Sequence, residues 1–339
     1  MRVNTRPSLD RNSDAEQSTV IPYRRDDDAG VDGSGPRPIA VPHAKCGVVI
    51  VSYRTGSVLL DCLHSVLAQP VVSHVVLVDN GNDPATRGAL TELTSHDDRL
   101  EIIVGHGNVG FSKGCNLGAR RISAEYLLLL NPDSHMGEGV LAEALRAFET
   151  DPEASAVTVR LENPDGSEQR GGRRNLLTPW TSLVEQFRLD RLMPDHPHFQ
   201  RLNLNETEPL SEITEVECIS GAFMLMPKQV FDDLGGMDED YFLHVEDIDF
   251  CMKIAKADGH ILYVPHVSVT HEQGTSRVYQ TFVEWHKARS AVRYFFKHFQ
   301  PQYPTFLLRM IAVAIFTRFT IRLLPQTLRW LAQSLSSKT

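Results

Sequence analysis

The stretches that decide the fold are GVVIVSY (47–53), HVVLVDN (74–80), LEIIVG (100–105) and YLLLLNPD (126–133). Each contains an apolar run of strand length, and segments of helical length such as 140–149 alternate with these runs. This alternation is typical of a parallel sheet that is covered by helices. The sequence therefore predicts an α/β fold with a Rossmann-like, mostly parallel sheet and helices on both faces.

Composition divides the chain into three regions. Residues 1–43 mix Arg, Asp, Ser, Gly and Pro without hydrophobic periodicity, so we expect a disordered arm. Residues 44–286 carry the strand and helix pattern, and we expect them to form one domain. Within it, the irregular stretch 163–215 is expected to form a loop-rich wall over a site. Residues 287–339 are expected to form a separate helical tail.

This C-terminal tail is basic and amphipathic. It contains nine Lys and Arg residues and no Asp or Glu, and its longest uncharged apolar run is MIAVAIFT (310–317). That run is far shorter than the ~20 residues that span a bilayer. Arg318, Arg322 and Arg329 recur at spacings of four and seven, which favours a helix lying in an anionic membrane surface. The alternative is a helix that packs on the domain with a solvated basic face.

Charge and cysteine content limit the partners and the compartment. The net charge is −9, and the central region has no block of Lys and Arg that would bind the phosphates of nucleic acid, so no nucleic-acid partner is expected. The five cysteines form no C-x-x-C pair, which predicts buried thiols in a reducing compartment. The N-terminus lacks the apolar segment of a secretory signal. A cytoplasmic protein is the expectation.

Polar side chains follow three of the predicted strands, at the edge where open parallel sheets bind ligands. Ser52 and Tyr53 end the first run, Asp79 ends the second, and Asn131 and Asp133 end the fourth. Each alone fits ordinary turn chemistry. Together they place two carboxylates along one sheet edge, where a nucleotide base, a ribose and a metal-bound diphosphate could be held.

The segment Gly105–Gly110 fits the pattern G-x-G-x-x-G of dinucleotide-binding folds. In those folds the glycine turn normally follows the first strand, whereas two strand–helix units precede it here. Asp133 does end a strand, as the acidic residue of that motif would. An NAD(P)-dependent dehydrogenase therefore remains an alternative.

The most informative block is acidic. It runs GGMDEDYF (235–242), then EDIDF (246–250), and is followed by HEQGTS (271–276). A helix beginning near Glu246 would carry three acids in its first turn, where the helix dipole favours negative charge. In such a helix Glu246 and Asp249 share a face, while Asp247 points about 100° away from Glu246.

In these motifs the chain resembles the inverting GT-A glycosyltransferases of family 2, especially their rhamnosyltransferase-like branch. The resemblance covers about 47–299 and implies the GT-A fold for that part of the chain. The ordered motifs that carry it are VVIVSY, VDNGN, GNVGFSKGCNLGAR, LLLLNPDS, SGAFMLMP, GGMDEDYFLHVEDIDFCMKIAKADG and HEQGTS. Any one of them is weak, but the ordered set is specific.

The resemblance implies roles for single residues. Asp247 would be the general base, Asp133 would bind the metal as the acid of a DXD-type motif, and His271 would complete the metal shell. Asn131 stands where a strict DXD motif has its first acid. The residues implied to bind the donor are Ser52, Tyr53, Asp79 at the base, Asn108, Gly110, Lys113, Asn116, Asn131 and Asp133. Those implied to support the base or the acceptor are Gly221, Glu246 and Asp249.

The implied reaction moves a sugar, with dTDP-rhamnose as the suggested donor, to a hydroxyl of a cell-envelope glycan or polyprenyl-linked acceptor. It implies Mg²⁺ or Mn²⁺ as cofactor and a place at the inner face of the cell membrane. Besides the dehydrogenase, a nucleotidyltransferase and a non-catalytic binder of sugar nucleotides remain alternatives. Release of pyrophosphate would identify the nucleotidyltransferase, a change in nicotinamide absorbance the dehydrogenase, and absence of turnover the non-catalytic binder.

Overall fold

The computed structural model describes residues 45–193, 196–276 and 278–336, and for Gln186, Pro197 and 322–336 it describes the backbone alone. The arm predicted over residues 1–43 lies outside the described residues. The strands are β1 (Cys46–Ser52), β2 (Val72–Asp79), β3 (Leu100–Ile103), β4 (Tyr126–Leu130), β5 (Ser134–Met136), β6 (Ala156–Glu162), β7 (Arg173–Arg174), β8 (Thr214–Val216), β9 (Cys218–Ile219), β10 (Phe223–Pro227) and β11 (Ile261–His271). The helices are α1 (Val58–Leu67), α2 (Pro84–His96), α3 (Phe111–Ala119), α4 (Val140–Thr150), α5 (Pro179–Phe187), α6 (Lys228–Asp233), α7 (Glu246–Lys256), α8 (Gln280–Phe299) and α9 (Thr305–Ser336).

The main sheet has the strand order β3-β2-β1-β4-β10-β6-β11-β5, and β8 also pairs with β11. β1 to β4 run parallel, and so do β6 and β11. β10 lies antiparallel between β4 and β6, so six strands share one direction and their carboxyl ends share one edge. The predicted sheet, mostly parallel in its long strands, is confirmed. β7 and β9 form a separate two-stranded ladder.

Helices cover both faces of the sheet because its central strands β1, β4 and β10 are buried on both sides. On one face α1 and α4 pack through residues such as Leu63 and Leu145. On the other face α3, α7 and α8 pack through residues such as Cys115, Phe250 and Tyr294. All five cysteines are buried and free, as predicted.

Two glycines let α3 lie directly on β1. A Cβ at Gly114 would lie 2.7 Å from Cγ1 of Val51, and one at Gly118 would lie 2.4 Å from Cγ1 of Val49. Any larger side chain would push the helix off the sheet. This close contact fixes the start of α3, and with it the glycine-rich loop that precedes the helix.

Two helices, α8 and α9, form most of the predicted tail. α8 crosses the boundary expected at 286/287, and its basic side chains pair with acids of the domain: Lys297 Nζ lies 2.7 Å from both Asp238 Oδ2 and Asp249 Oδ1, and Arg293 Nη2 lies 3.0 Å from Asp238 Oδ2. α8 therefore packs on the domain, which was the alternative to a helix at the membrane surface. Within the described ranges, no helix combines the length and the apolar character needed to cross a bilayer.

Candidate functional site

The carboxyl ends of β4 and β11 bring together two residues that lie far apart in the sequence. Asp133 Oδ1 lies 3.1 Å from His271 Nε2, and both side chains are buried. Thr275 donates a hydrogen bond of 2.9 Å to Asp133 Oδ2. Burial alone would raise the pKa of Asp133, but the contacts with His271 and Thr275 outweigh it and lower the pKa below its usual value.

This pair fits a divalent cation. A carboxylate oxygen and an imidazole nitrogen that bind one cation at ~2.1 Å each, at right angles, lie roughly 3 Å apart. Asn131 contacts the same imidazole, because its Nδ2 lies 3.1 Å from His271 Nε2 and can donate a hydrogen bond to it. Among the described residues no group of three or more His, Cys, Asp and Glu side chains could hold a metal. The remaining ligands would therefore be oxygens from outside the protein, as is usual for Mg²⁺ beside a bound diphosphate.

Gln169 is a site residue that sequence reasoning missed. Its Oε1 lies 2.6 Å from Nδ1 of His271, and its Nε2 donates 2.8 Å to the backbone carbonyl of the same histidine. Gln169 lies in the stretch 163–215, which was expected to be loop-rich. That stretch instead contains β7, α5 and β8 as well as loops. No local pattern marks this glutamine, because its partner is 102 residues away.

At the end of β2, Asp79 organises a loop beside a cleft. Its Oδ1 accepts hydrogen bonds from the backbone N–H groups of Gly81 at 2.8 Å and Asn82 at 2.7 Å, and its Oδ2 pairs with Arg87 Nε at 2.9 Å. Ser52 Oγ donates to Asn82 Oδ1 at 3.1 Å and so braces the same loop. The cleft has a volume of about 460 Å³. Its lining residues are Asp79, Arg87, Leu90, Thr91, Thr94, Ile102 and Val104.

Tyr53 lies over the same loop, since a Cβ at Gly81 would lie 3.1 Å from its ring. The cleft has the size and mixed polarity that a nucleobase requires. A contact between Asp79 and the base remains a prediction.

The glycine-rich loop 105–110 is fastened to the segment that precedes α7. Gly110 has φ +85°, and a Cβ there would lie 2.6 Å from the carbonyl oxygen of Phe242. That carbonyl accepts a hydrogen bond of 2.9 Å from Phe111 N, at the start of α3. Asn108 Oδ1 accepts from Gly110 N at 3.1 Å. The loop follows β3, which is an edge strand, whereas a dinucleotide-binding turn follows the first strand of its fold. This topology removes the main support for the dehydrogenase alternative.

Asn116 and Lys113, both on α3, are two further residues expected to line the donor. The amide of Asn116 is committed to the turn that begins at Gly236: Nδ2 donates to Met237 O at 2.8 Å, and Oδ1 accepts from Met237 N at 2.9 Å. Its side chain therefore braces this turn, and its role at a donor remains a prediction. Lys113 is exposed on α3, and its role at a donor remains a prediction.

α7 begins at Glu246, as predicted, and Asp247 is held at its first turn. Arg174 Nη2 donates 2.7 Å to Asp247 Oδ2, and Gly221 N donates 3.3 Å to the same oxygen. The two charged side chains are only 12% and 17% exposed. Burial opposes ionisation of Asp247, but the guanidinium of Arg174 outweighs it and lowers the pKa of this carboxyl.

The pKa of the neighbouring acid, Glu246, is shifted in the opposite direction. It is buried, and its Oε2 has no hydrogen-bond partner among the residues that the structure describes. Burial, together with the charge of Asp247, raises the pKa of Glu246 to about 8. His244 and Val245, which precede α7, both have positive φ, at 66° and 73°. A left-handed β-branched residue is strained, and here the strain lies directly before the two acids.

Asp249 faces a different part of the molecule. It accepts hydrogen bonds from Tyr241 at 3.0 Å, from Lys297 at 2.7 Å and, with His298 as donor, at 2.7 Å. All three partners belong to α8 or to the loop before α7. Asp249 therefore supports the site by fixing α7 against α8, and its predicted contribution to acceptor binding has no geometric support.

The start of β10 connects the two halves of the site. Gly221 N binds Asp247, and the next residue, Ala222, accepts hydrogen bonds through its carbonyl from Asn131 N at 3.3 Å and Ser134 Oγ at 3.2 Å. The residues thus brought together are Asn131, Asp133, Gly221, Asp247 and His271. One bridging segment thus contacts both the carboxylate of Asp247 and the loop that carries Asp133. A cation at the pair and a proton acceptor in this arrangement would suit an anionic leaving group and the loss of a proton.

Comparisons with known proteins agree with this arrangement. A family model described as "Glycosyltransferase like family 2" matches residues 42–291. The N-acetylglucosaminyl-diphospho-decaprenol L-rhamnosyltransferase of Mycobacterium tuberculosis is 28% identical over 257 residues, which cover 68% of this chain and 76% of that relative. The rhamnosyltransferase WbbL of Escherichia coli (strain K12) is 24% identical over 261 residues, covering 73% of this chain and 91% of WbbL.

A solved structure supports the fold. The crystal structure of GalNAc-T7 with UDP, GalNAc and Mn²⁺ superimposes with a TM-score of 0.54 at 17% sequence identity. The match covers 74% of this chain and 47% of that one, so the chain spans about half the length of GalNAc-T7. At this identity the likeness supports the GT-A fold alone.

Proposed function

Since this chain belongs to the glycosyltransferase-like family 2 and is a glycosyltransferase, we propose that it transfers L-rhamnose from dTDP-rhamnose, with inversion, to a hydroxyl of a polyprenyl-linked cell-envelope glycan. The donor sugar and the lipid-linked acceptor are supported by the names of the two relatives described above. The observation that carries the reaction type is the bridge at Gly221 and Ala222, which holds Asp247 beside the Asp133 and His271 pair.

Asp247 acts as the base in this proposal. Its carboxylate accepts the proton of the acceptor hydroxyl while the acceptor oxygen forms a bond to the anomeric carbon. The bond from that carbon to the diphosphate breaks on the opposite face, so the configuration inverts and no enzyme nucleophile is needed. Arg174 keeps Asp247 ionised, and Gly221, which has no side chain, leaves the approach to the carboxylate open.

Asp133 and His271 hold the donor end. Mg²⁺ or Mn²⁺ bound there would stabilise the charge on the departing nucleoside diphosphate. The cleft beside Asp79 would take the base, and the braced loop 105–110 would line the donor.

The test separates chemistry from binding. We expect Asp247→Asn to keep donor affinity, measured by calorimetry, while the single-turnover transfer rate falls by a factor of about 10²–10⁴. Asp240→Asn is the matched control, because Asp240 is an exposed acid in the preceding loop that pairs with Arg293. Near-normal transfer by Asp247→Asn would refute the mechanism. A panel of dTDP-, UDP- and GDP-sugars, read by nucleoside-diphosphate release, tests the donor separately.

We also propose that the enzyme is peripheral at the inner face of the cell membrane. α9 presents an exposed apolar stripe of Phe306, Met310, Val313 and Ile321, whose side chains are 59–66% exposed. Their spacing places them on one helical face, opposite the buried Leu308.

Exposed arginines, Arg309 and Arg318, lie on the two sides of this stripe. An apolar face flanked by cations suits a helix that lies in an anionic bilayer surface. The predicted face of Arg318, Arg322 and Arg329 remains a prediction, because the side chains of Arg322 and Arg329 lie outside the described residues.

A further inference from the structure

The side chain of Gln169 makes two different contacts with His271. It is 2% exposed, and its Nε2 donates to His271 O at 2.8 Å and to Asn163 Oδ1 at 3.2 Å. Its Oε1 lies 2.6 Å from His271 Nδ1. A buried glutamine that hydrogen-bonds both the ring and the backbone carbonyl of one histidine restricts the position and the rotation of the imidazole.

The direction of these bonds can be deduced from chemistry alone. A backbone carbonyl only accepts hydrogen bonds, so the NH₂ group of Gln169 must face His271 O, and Oε1 must face Nδ1. An amide oxygen also only accepts, so Nδ1 must carry the hydrogen. In the neutral imidazole Nε2 then carries the lone pair, and this atom lies 3.1 Å from both Asn131 Nδ2, which can donate to it, and Asp133 Oδ1.

We propose that Gln169 is a positioning residue that fixes His271 in its Nδ1–H tautomer and aims the Nε2 lone pair, with Asp133, at a divalent cation. This proposal depends on the proposed function in one respect: the cation at His271 is the one that would bind together with the donor. Without the Oε1 contact the ring is free to place its hydrogen on Nε2, where it would block the cation. Such outer partners of metal-binding histidines change metal affinity by about 10- to 100-fold.

Two substitutions separate the two contacts of Gln169. Gln169→Glu keeps an oxygen acceptor for Nδ1–H but loses the donor to His271 O, whereas Gln169→Met loses both. Asn163→Ala is the matched control, because it removes only an acceptor of Gln169 Nε2. All three are compared by thermal unfolding, so that loss of structure is recognised.

The first measurement is the tautomer of His271 in metal-free protein at pH 8, read from the ¹⁵N spectrum of histidine-labelled enzyme and assigned with His271→Gln. We expect Nδ1–H in the wild type, in Gln169→Glu and in Asn163→Ala, and a mixture in Gln169→Met. An Nε2–H tautomer in the wild type overturns the proposal, whatever sugar the enzyme transfers.

The second measurement is Mn²⁺ affinity, from the paramagnetic resonance of free Mn²⁺. Gln169→Met should bind Mn²⁺ about 10- to 100-fold more weakly than the wild type, while Gln169→Glu binds as well or better. Equal weakening in both variants would mean that Gln169 serves only as a brace through Nε2. Unchanged affinity in Gln169→Met would likewise overturn the proposal. Transfer assays could show that the proposed donor or acceptor is wrong. The tautomer and Mn²⁺ measurements would still test the role of Gln169.

Discussion

Replacing Arg174 with Met should raise the pKa of Asp247 and make transfer fail at acidic pH. The guanidinium Nη2 lies 2.7 Å from Asp247 Oδ2 in a mostly buried pair. Taking the charge centres ~4 Å apart at an effective dielectric constant of ~20, the lost attraction is about 4 kcal/mol, equivalent to about 3 pKa units. Measured shifts of an aspartate beside an arginine are about 1–3 units, so we expect a rise in that range.

The assay is the pH profile of kcat/KM for nucleoside-diphosphate release. Because only the ionised carboxylate accepts a proton, the acidic limb of the profile should move to higher pH by about 1–3 units in Arg174→Met, with a smaller loss on the alkaline plateau. Arg174→Lys keeps the charge and should shift the limb less. Arg170→Met is the matched control, since Arg170 lies in the same RGGRR segment but pairs with Glu185.

Stability must be followed in the same variants. Removing one partner of a buried ion pair costs about 3–5 kcal/mol, so Arg174→Met should unfold at a lower temperature than Arg174→Lys. A folded Arg174→Met enzyme whose acidic limb stays at the wild-type position would refute the reasoning, because a group other than Asp247 would then titrate in the reaction.

Three further predictions follow from the site and the tail. Asp133→Ala should abolish Mn²⁺-stimulated turnover and weaken donor binding, because a methyl group cannot replace a carboxylate ligand; an unchanged metal response would remove Asp133 from the site. The pKa of Glu246 is raised to about 8 in the folded chain, so the folded state binds the proton more tightly and wild-type stability falls as the pH rises from about 4.5 to 8. Glu246→Gln lacks this loss, so its melting temperature relative to the wild type should increase from pH 5 to pH 9, and a constant difference would contradict the buried state. Phe306→Ser with Met310→Ser should reduce co-sedimentation with anionic phosphatidylglycerol vesicles while turnover on a soluble acceptor persists; equal binding by variant and wild type would exclude this face of α9.

The fold was largely predictable because its strands are apolar runs that end in polar turns. Burial on both faces of a parallel sheet demands this pattern, and the direction of β4 and β11 then brings Asp133 and His271 to one edge. The start of α7 at Glu246 was predictable from its acids, since they suit a helix N-terminus.

The partners of these residues were not predictable. Gln169 and Arg174 lie in a stretch without periodicity, and they contact residues 102 and 73 positions away. The contact of the Asn116 amide with Met237, 121 positions away, is of the same kind, because it forms where Gly236, with φ +67°, passes close to α3. Contacts of this kind depend on tertiary packing, which leaves no mark in local spacing.

The site also has a consequence for the order in which the protein is made. Asn131 and His271 are 140 residues apart, and the strand that ends at His271 is the last one of the main sheet. At synthesis rates of ~5–20 residues per second, about 7–28 s pass between the appearance of Asn131 and that of His271. β10 must meanwhile insert between β4 and β6. During that interval the nascent chain holds Asn131 without its hydrogen-bond partner, and this contact can form only once β11 has been made and pairs with β6.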